Sequence, residues 1–118
     1  MSHNFALAST QHPAFGRLVT LSVAGQPPRR FTAQEASIVA LALAAVVAAK
    51  SVERRIYMSP IASDREFSAN VENRGVVITL EGFADVALDW GETVELARAL
   101  ARFGDASSQN LVEAGGSW

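Results

Sequence analysis

Apolar and polar residues alternate through the middle of the chain, between residues 66 and 88. Three short stretches each place their apolar residues on one face. The three apolar sets are Phe67, Ala69 and Val71; Val76, Ile78 and Leu80; and Ala84, Val86 and Leu88. Alternation of this kind is typical of strands with one face in a core. The pattern therefore predicts three strands that share one apolar side.

The lengths of the two connections predict how these strands pair. A loop over 72–75 pairs Val71 with Val76, Ala69 with Ile78 and Phe67 with Leu80. A loop over 81–83 pairs Leu80 with Ala84, Ile78 with Val86 and Val76 with Leu88. Both loops keep every apolar set on one side, whereas a slip of one residue would turn a whole set to solvent. We predict an antiparallel meander over 66–88. One long bent strand over 76–88 is the alternative, because Gly82 lies at even spacing from both flanking sets.

Shorter patterns predict strands before the meander. Residues 17–23, "RLVTLSV", alternate and are followed by the prolines of "AGQPPRR", which cannot donate to a sheet. Residues 54–59, "RRIYMS", predict a short strand that ends at Pro60. The pattern leaves open whether residues 4–9 form an edge strand that hairpins to 17–23.

Two helices, over 32–50 and 90–103, have clear start signals. Each begins with a capping box, in which two side chains satisfy backbone N–H groups reciprocally. The two pairs are Thr32 with Glu35 and Asp89 with Glu92. Gly104 is placed to end the second helix in the left-handed conformation. Residues 105–118 are polar and end in glycines, so we expect a loose tail after a single domain over 1–104.

These elements predict an α+β fold. An antiparallel sheet, made of the 66–88 meander and the strands near 17–23 and 54–59, is covered on one face by the two helices. The first half resembles a shorter version of the second, since both run from strand to capping box to helix. The order of four strands and a helix in the second half is similar to the repeat of Whirly and Pur-type single-strand binders. This resemblance is one of element order.

The first predicted helix is apolar on every side, with no polar side chain from Ile38 to Ala49. A broad arc of bulky residues should bury on the sheet: Ile38, Val39, Leu43, Val46 and Val47. Small residues lie nearly opposite: Ala33, Ser37, Ala40, Ala44 and Ala48. Either this small face is merely exposed alanine, or it meets the 90–103 helix or a second copy of the chain. We predict a homodimer with Ala40, Ala44 and Ala48 at the interface.

Composition narrows the possible functions. The chain has 118 residues, 49% of them hydrophobic, and a net charge of -2. This length and composition fit one globular domain. The charges form neither the basic stripe of a nucleic-acid binder nor the dense acidic surface of a nucleic-acid mimic. The chain has no cysteines, which excludes disulfides, thiolate catalysis and Cys-based zinc sites.

The start of the chain lacks the features of a signal peptide, and the apolar run is too short to cross a bilayer. We therefore expect a cytoplasmic protein. Its richness in alanine and arginine indicates a bacterial or phage origin in a GC-rich genome.

Candidate chemistry is sparse. His3 and His12 have no ligand partners at metal-binding spacing, so we predict no metal and no cofactor. The polar loop over 59–66 could hold a ligand through Ser59, Asp64 and Arg65. A turn that caps itself through Ser and Asp is the favoured interpretation of that loop, because a serine nucleophile there would need a base.

Two arginine pairs could form an anionic or single-stranded nucleic-acid site. The pairs are Arg29 with Arg30 and Arg54 with Arg55, and Tyr57 shares a strand face with Arg55. Ordinary surface charge is the alternative interpretation. The outward strand positions are neutral or acidic, so we expect weak or no binding to nucleic acid.

The sequence favours a small, non-enzymatic binding or regulatory protein that acts through a protein partner or as a homodimer. A single-stranded nucleic-acid binder is the second hypothesis. A small enzyme that uses the 59–66 loop is the third, because catalytic groups can be assembled in space without a motif.

Overall fold

The chain folds into two antiparallel sheets, each followed by a helix. The computed structural model describes residues 4–116 except 51 and 64, with side chains as far as Gly104. The first half contains β1 (Phe5–His12), β2 (Gly16–Val23), β3 (Arg29–Thr32) and α1 (Ala33–Val47). The second half contains β4 (Arg55–Met58), β5 (Phe67–Val71), β6 (Gly75–Thr79), β7 (Val86–Asp89) and α2 (Trp90–Gly116). Strands follow chain order in both sheets. The α+β class is confirmed, but the strands form a three-stranded and a four-stranded sheet rather than one.

The predicted register of the meander is confirmed. In β5 and β6, Ala69 pairs with Ile78 and Val71 with Val76. In β6 and β7, Val76 pairs with Leu88 and Ile78 with Val86. The alternative of one bent strand is wrong. A turn separates β6 from β7, closed by the Phe83 N–H, which donates to the Leu80 carbonyl at 3.0 Å.

The first sheet contains more strand than expected. β1 pairs with β2 along its whole length, which settles the open question of residues 4–9. β3 was not predicted, because two prolines directly precede it. Those prolines lie outside the ladder, so their missing N–H groups cost no hydrogen bond and β3 can pair with β2.

One core lies between the inner faces of both sheets and the two helices. Its fully buried side chains include Leu21, Phe31, Leu43, Phe67, Ile78, Leu96 and Leu100. The rings of Phe31 and Phe67 meet edge-on across the two sheets, with centroids 6.0 Å apart. Neither sheet therefore has a core of its own.

Both predicted capping boxes are present. Thr32 Oγ accepts from the Glu35 N–H, and Glu35 Oε1 accepts from the Thr32 N–H at 2.9 Å. Asp89 Oδ1 accepts from the Glu92 N–H at 2.7 Å, and Glu92 Oε1 accepts from the Asp89 N–H at 3.1 Å. Each box positions its helix directly after the last strand of its half.

Gly104 does not end α2, contrary to expectation. The helix continues to Gly116, and Gly104 packs against α1 instead. A Cβ at this position would collide with Ser37 Oγ and would lie 3.2 Å from the Ala33 carbonyl. The absence of a side chain therefore lets the two helices approach closely. The looseness expected of residues 105–118 stays a prediction.

The buried face of α1 consists of Ala36, Val39, Ala40, Leu43 and Val46. Ile38 was expected on the sheet but is 50% exposed. At 100° per residue it lies about 140° from Leu43, beyond the arc that a sheet can cover. α1 also ends at Val47 rather than at residue 50.

Candidate interaction surface

The solvent side of α1 is an unbroken apolar stripe, which we call the outer face. Its exposed residues are Ile38, Leu41, Ala44 and Ala48. Leu41 is 72% exposed and Ile38 is 50% exposed. Helix surfaces in water normally carry Lys, Glu or Arg, whereas this one carries no charge over its length. Exposed apolar surfaces of this kind are typical of interaction sites.

Two grooves flank the outer face. The groove toward α2 has a volume of about 290 Å³ and is lined by Ser37, Ala40, Leu41, Ala44, Ala97, Arg98 and Ala101. The groove toward β4 has a volume of about 350 Å³ and is lined by Ile38, Val39, Ala42, Glu53, Arg55, Ile56, Tyr57 and Met58. The apolar surface therefore continues from the helix into both grooves, where it meets Arg98 on the α2 side and Glu53 and Arg55 on the β4 side.

The small face of α1 is partly covered by α2 and partly exposed to solvent. Ala33 and Ser37 lie against α2 at Gly104, and Ala40 is only 4% exposed. Ala44 and Ala48 are exposed. Contact with the second helix of the same chain thus accounts for the first half of the small face. The second half remains open to solvent.

Arg55 and Tyr57 come together on β4, as their spacing predicts. The Arg55 guanidinium lies 5.0 Å from the centre of the Tyr57 ring. Arg55 Nε donates to Ser68 Oγ at 2.9 Å, and its Nη2 lies 3.8 Å from a carboxylate oxygen of Glu66. The arginine is thus engaged within the chain and covers the ring on which a base would stack. Arg54 is exposed just before the strand.

The 59–66 loop contains a self-capping turn. Ser63 Oγ accepts from the Arg65 N–H at 3.3 Å. Glu35 Oε2 accepts from the Ile61 N–H at 2.9 Å, which ties the loop to the start of α1. Ser59 and Arg65 are exposed, and Asp64 lies outside the described residues. These contacts support the turn interpretation of the loop.

His12 is likewise engaged in a local turn. Its Nδ1 accepts from the Ala14 and Phe15 N–H groups at 3.0 and 3.2 Å. The ring therefore closes the β1–β2 hairpin. His3 lies outside the described residues.

The buried arginine at position 29 is a feature that the sequence did not reveal. Arg29 is fully buried rather than part of a surface basic pair with Arg30. Its Nε donates to the Glu66 carbonyl at 2.7 Å, and its Nη2 donates to Gln26 Oε1 at 2.7 Å. Burial lowers the pKa of Arg29 from its ordinary value, and the Glu66 carboxylate opposes that shift. The sequence did contain one indication of this. Arg29 lies two residues before Phe31, so the two side chains share the inner face of β3.

Among the described residues, no three His, Asp or Glu side chains lie close enough together to hold a metal ion. Within the same part of the chain, no helix is both long and apolar enough to cross a membrane. Comparison of the chain with protein families, curated proteins and solved structures finds no significant match.

Proposed function

We propose that this is a small binding or regulatory protein whose working form is a homodimer joined through the outer face of α1. The observation that carries the proposal is the exposure of Leu41 and Ile38 on a helix face with no charged residue. Burying a large apolar side chain fully stabilises a complex by about 1.5–3 kcal/mol. A two-fold interface uses the same patch twice, so each of these residues contributes twice.

A second copy suits this face because the face is apolar and uncharged, so two copies can cover each other without burying a charge. A partner with a charged surface would leave its charges unpaired against α1. Two α1 helices crossing antiparallel would bring the opposite ends of their dipoles together. Ala44 and Ala48 would let the helices approach closely, with Leu41 of each copy near the centre. Ala40 would contribute little, because α2 already covers it.

The mass of the protein in solution tests this proposal. We expect sedimentation to show a dimer at tens of micromolar. Leu41→Glu should give a folded monomer, because the charge must stay in water and the position is exposed in the single chain. Phe83→Glu is the matched control, since Phe83 is also an exposed large apolar residue but lies in the β6–β7 turn. A wild-type monomer, or a Leu41→Glu dimer as stable as the wild type, would overturn the proposal.

Single-stranded nucleic-acid binding is the second candidate, and the Arg55–Tyr57 pair on the exposed strand face is the observation that favours it. The net charge of -2 and the engagement of Arg55 with Glu66 weigh against it. We expect weak or no binding when labelled single-stranded DNA is titrated at low salt. Micromolar binding that weakens steeply with salt, and that is lost in Arg54→Ala/Arg55→Ala, would replace the homodimer proposal with this one.

A further inference from the structure

β4 is an open edge of the four-stranded sheet. Within the described residues it pairs with β5 alone. The Val71 N–H donates to the Arg54 carbonyl at 2.8 Å, and the next pair in register is Arg55 with Asn70. Hydrogen-bonded and non-hydrogen-bonded pairs alternate in an antiparallel ladder. The backbone N–H and C=O groups of residues 54, 56 and 58 therefore point toward β5. The backbone N–H and C=O groups of Arg55 and Tyr57 therefore point outward from the sheet.

The position of α1 connects this edge to the outer face. α1 packs against β4, whereas α2 packs against β6 and β7. Ile38 of α1 and Tyr57 of β4 line the same groove. A second copy that reached the β4 edge would therefore also bring its own α1 beside the first. The edge and the outer face belong to one continuous surface.

We propose that β4 pairs antiparallel with β4 of a second copy, centred on Ile56, so that the two four-stranded sheets become one continuous sheet. The inference rests on the homodimer proposed above and names its geometry. In this register Arg55 stands opposite Tyr57 of the second copy, and Ile56 stands opposite Ile56. All the outward N–H and C=O groups of Arg55 and Tyr57 are then satisfied across the two-fold axis.

The side chains match the same register. On the outer side of the sheet, Arg55 of each copy lies next to the Tyr57 ring of the other, which extends the cation–π contact already present within the chain. On the inner side, the two Ile56 side chains meet below the paired α1 helices. A foreign strand would gain the same backbone bonds but would lack this reciprocal pairing, so a second copy is the occupant that the edge fits.

Single cysteines report the register directly, because the chain has none of its own. Ile56 would form a non-hydrogen-bonded pair with its mate, with Cα atoms about 4.5 Å apart, which a disulfide can span. Ile56→Cys should therefore give a covalent dimer on mild oxidation. Met58→Cys is the matched control on the same strand face, because its two copies would lie roughly 14 Å apart and should stay unlinked.

Cross-linking through Arg55→Cys or Tyr57→Cys alone would place the two-fold axis at that residue, which shifts the register by two residues, and would overturn the centring on Ile56. A wild-type dimer in which none of these three variants cross-links would show that α1 forms the interface without β4. That outcome overturns this inference and leaves the proposed function standing. A wild-type monomer would overturn both.

Tyr57→Pro provides a second measurement. It removes an N–H that points outward and spares the bonds between β4 and β5, so the single chain should remain folded. Two donors are lost for each dimer, and the dissociation constant should rise at least about tenfold. Tyr57→Val is the control, because it removes the ring but keeps the donor. An equal effect of both variants would show that the ring matters and the backbone pairing does not.

Discussion

At the scale of single residues, Arg29 and Gln26 hold the two sheets together by a buried polar network. Gln26 lies in the first half, and its Nε2 donates to the carbonyls of Ala84 and Ile78 in the second, at 2.8 and 3.1 Å. Arg29 reaches the Glu66 carbonyl from the same side. Among the described residues the acceptors bonded to this guanidinium are backbone carbonyls and the Gln26 amide, whose dipoles stabilise its charge.

Replacing Arg29 should therefore be far more destabilising than replacing its neighbour. Arg29→Ala removes these donors from the part-buried Glu66 carbonyl and the buried Gln26 amide oxygen, and we expect the free energy of unfolding to fall by about 3 kcal/mol. Arg30→Ala, at an exposed position, should change it by less than about 0.5 kcal/mol. Urea denaturation measures both. Equal effects would show that the network contributes nothing to stability.

Ala49 is a second residue under local constraint. Its φ is 57°, which is in the left-handed region that favours glycine. The Lys50 N–H donates to the Ala45 carbonyl at 2.9 Å and the Ala49 N–H to the Val46 carbonyl at 3.2 Å, as in a Schellman motif.

Ala49→Gly should raise the free energy of unfolding by about 1 kcal/mol, because it removes the strain of a Cβ in this conformation. Ala48→Gly is the comparison. Ala48 has an ordinary φ of -81°, so glycine there only adds freedom to the unfolded chain and should destabilise. Thermal melting of both variants checks the sign. A lower melting temperature for Ala49→Gly than for the wild type would contradict backbone strain at Ala49.

At the scale of elements, the meander is the part most tightly specified. Ile78 is fully buried on the middle strand, where its pairing places it between β5 and β7. Ile78→Asp should unfold the protein, because it puts an unpaired charge in the core. Thr79→Asp, on the opposite side of the same strand, should cost about 1 kcal/mol. A folded and cooperative Ile78→Asp variant, judged by circular dichroism and melting, would show that the core tolerates this charge.

The contact between the helices depends on Gly104. Alanine is favoured over glycine in a helix by about 1 kcal/mol, but overpacking costs typically 1–3 kcal/mol. Because a Cβ would meet Ser37 Oγ and the Ala33 carbonyl, we expect Gly104→Ala to lower stability. Adding Ser37→Gly should restore part of the loss, which a double-mutant cycle would measure. Additive effects would show that the two positions do not compete for space.

Local rules explain what could be predicted among these elements. The capping boxes and the meander register depend on hydrogen bonds and parity within about 25 residues of chain. β3 could not be predicted, because only pairing with β2 stabilises so short a strand after two prolines. The separation into two sheets, the burial of Arg29 and the role of Gly104 all depend on partners from the other half of the chain. Spacing alone does not show such contacts.

The sequence predicted an uncharged face on α1, but it did not predict which residues lie at the centre of the exposed part. The lack of charge on α1 pointed to an interface, and the proximity of Arg55 to Tyr57 followed from strand parity. The centre of the exposed face is Leu41 rather than Ala40, because α2 leaves Leu41 open and covers Ala40. That outcome depends on where a second helix packs, which the sequence of α1 does not contain.

At the scale of the whole molecule, the two halves of the chain pack together like two subunits of one complex. Each contributes a sheet face and a helix to a single core, and the Arg29–Gln26 network crosses between them. The described residues of the connection from α1 to β4, 48–50 and 52–54, are exposed. Cutting the chain there should therefore leave two peptides, 1–50 and 51–118, that recognise each other. We expect neither peptide to melt cooperatively alone, and their equimolar mixture to regain the circular dichroism and melting transition of the intact protein. A peptide that folded by itself would show that one half is an independent domain. If the two peptides reassemble, each could be fused to a different protein, and their association would report that the two proteins are close together.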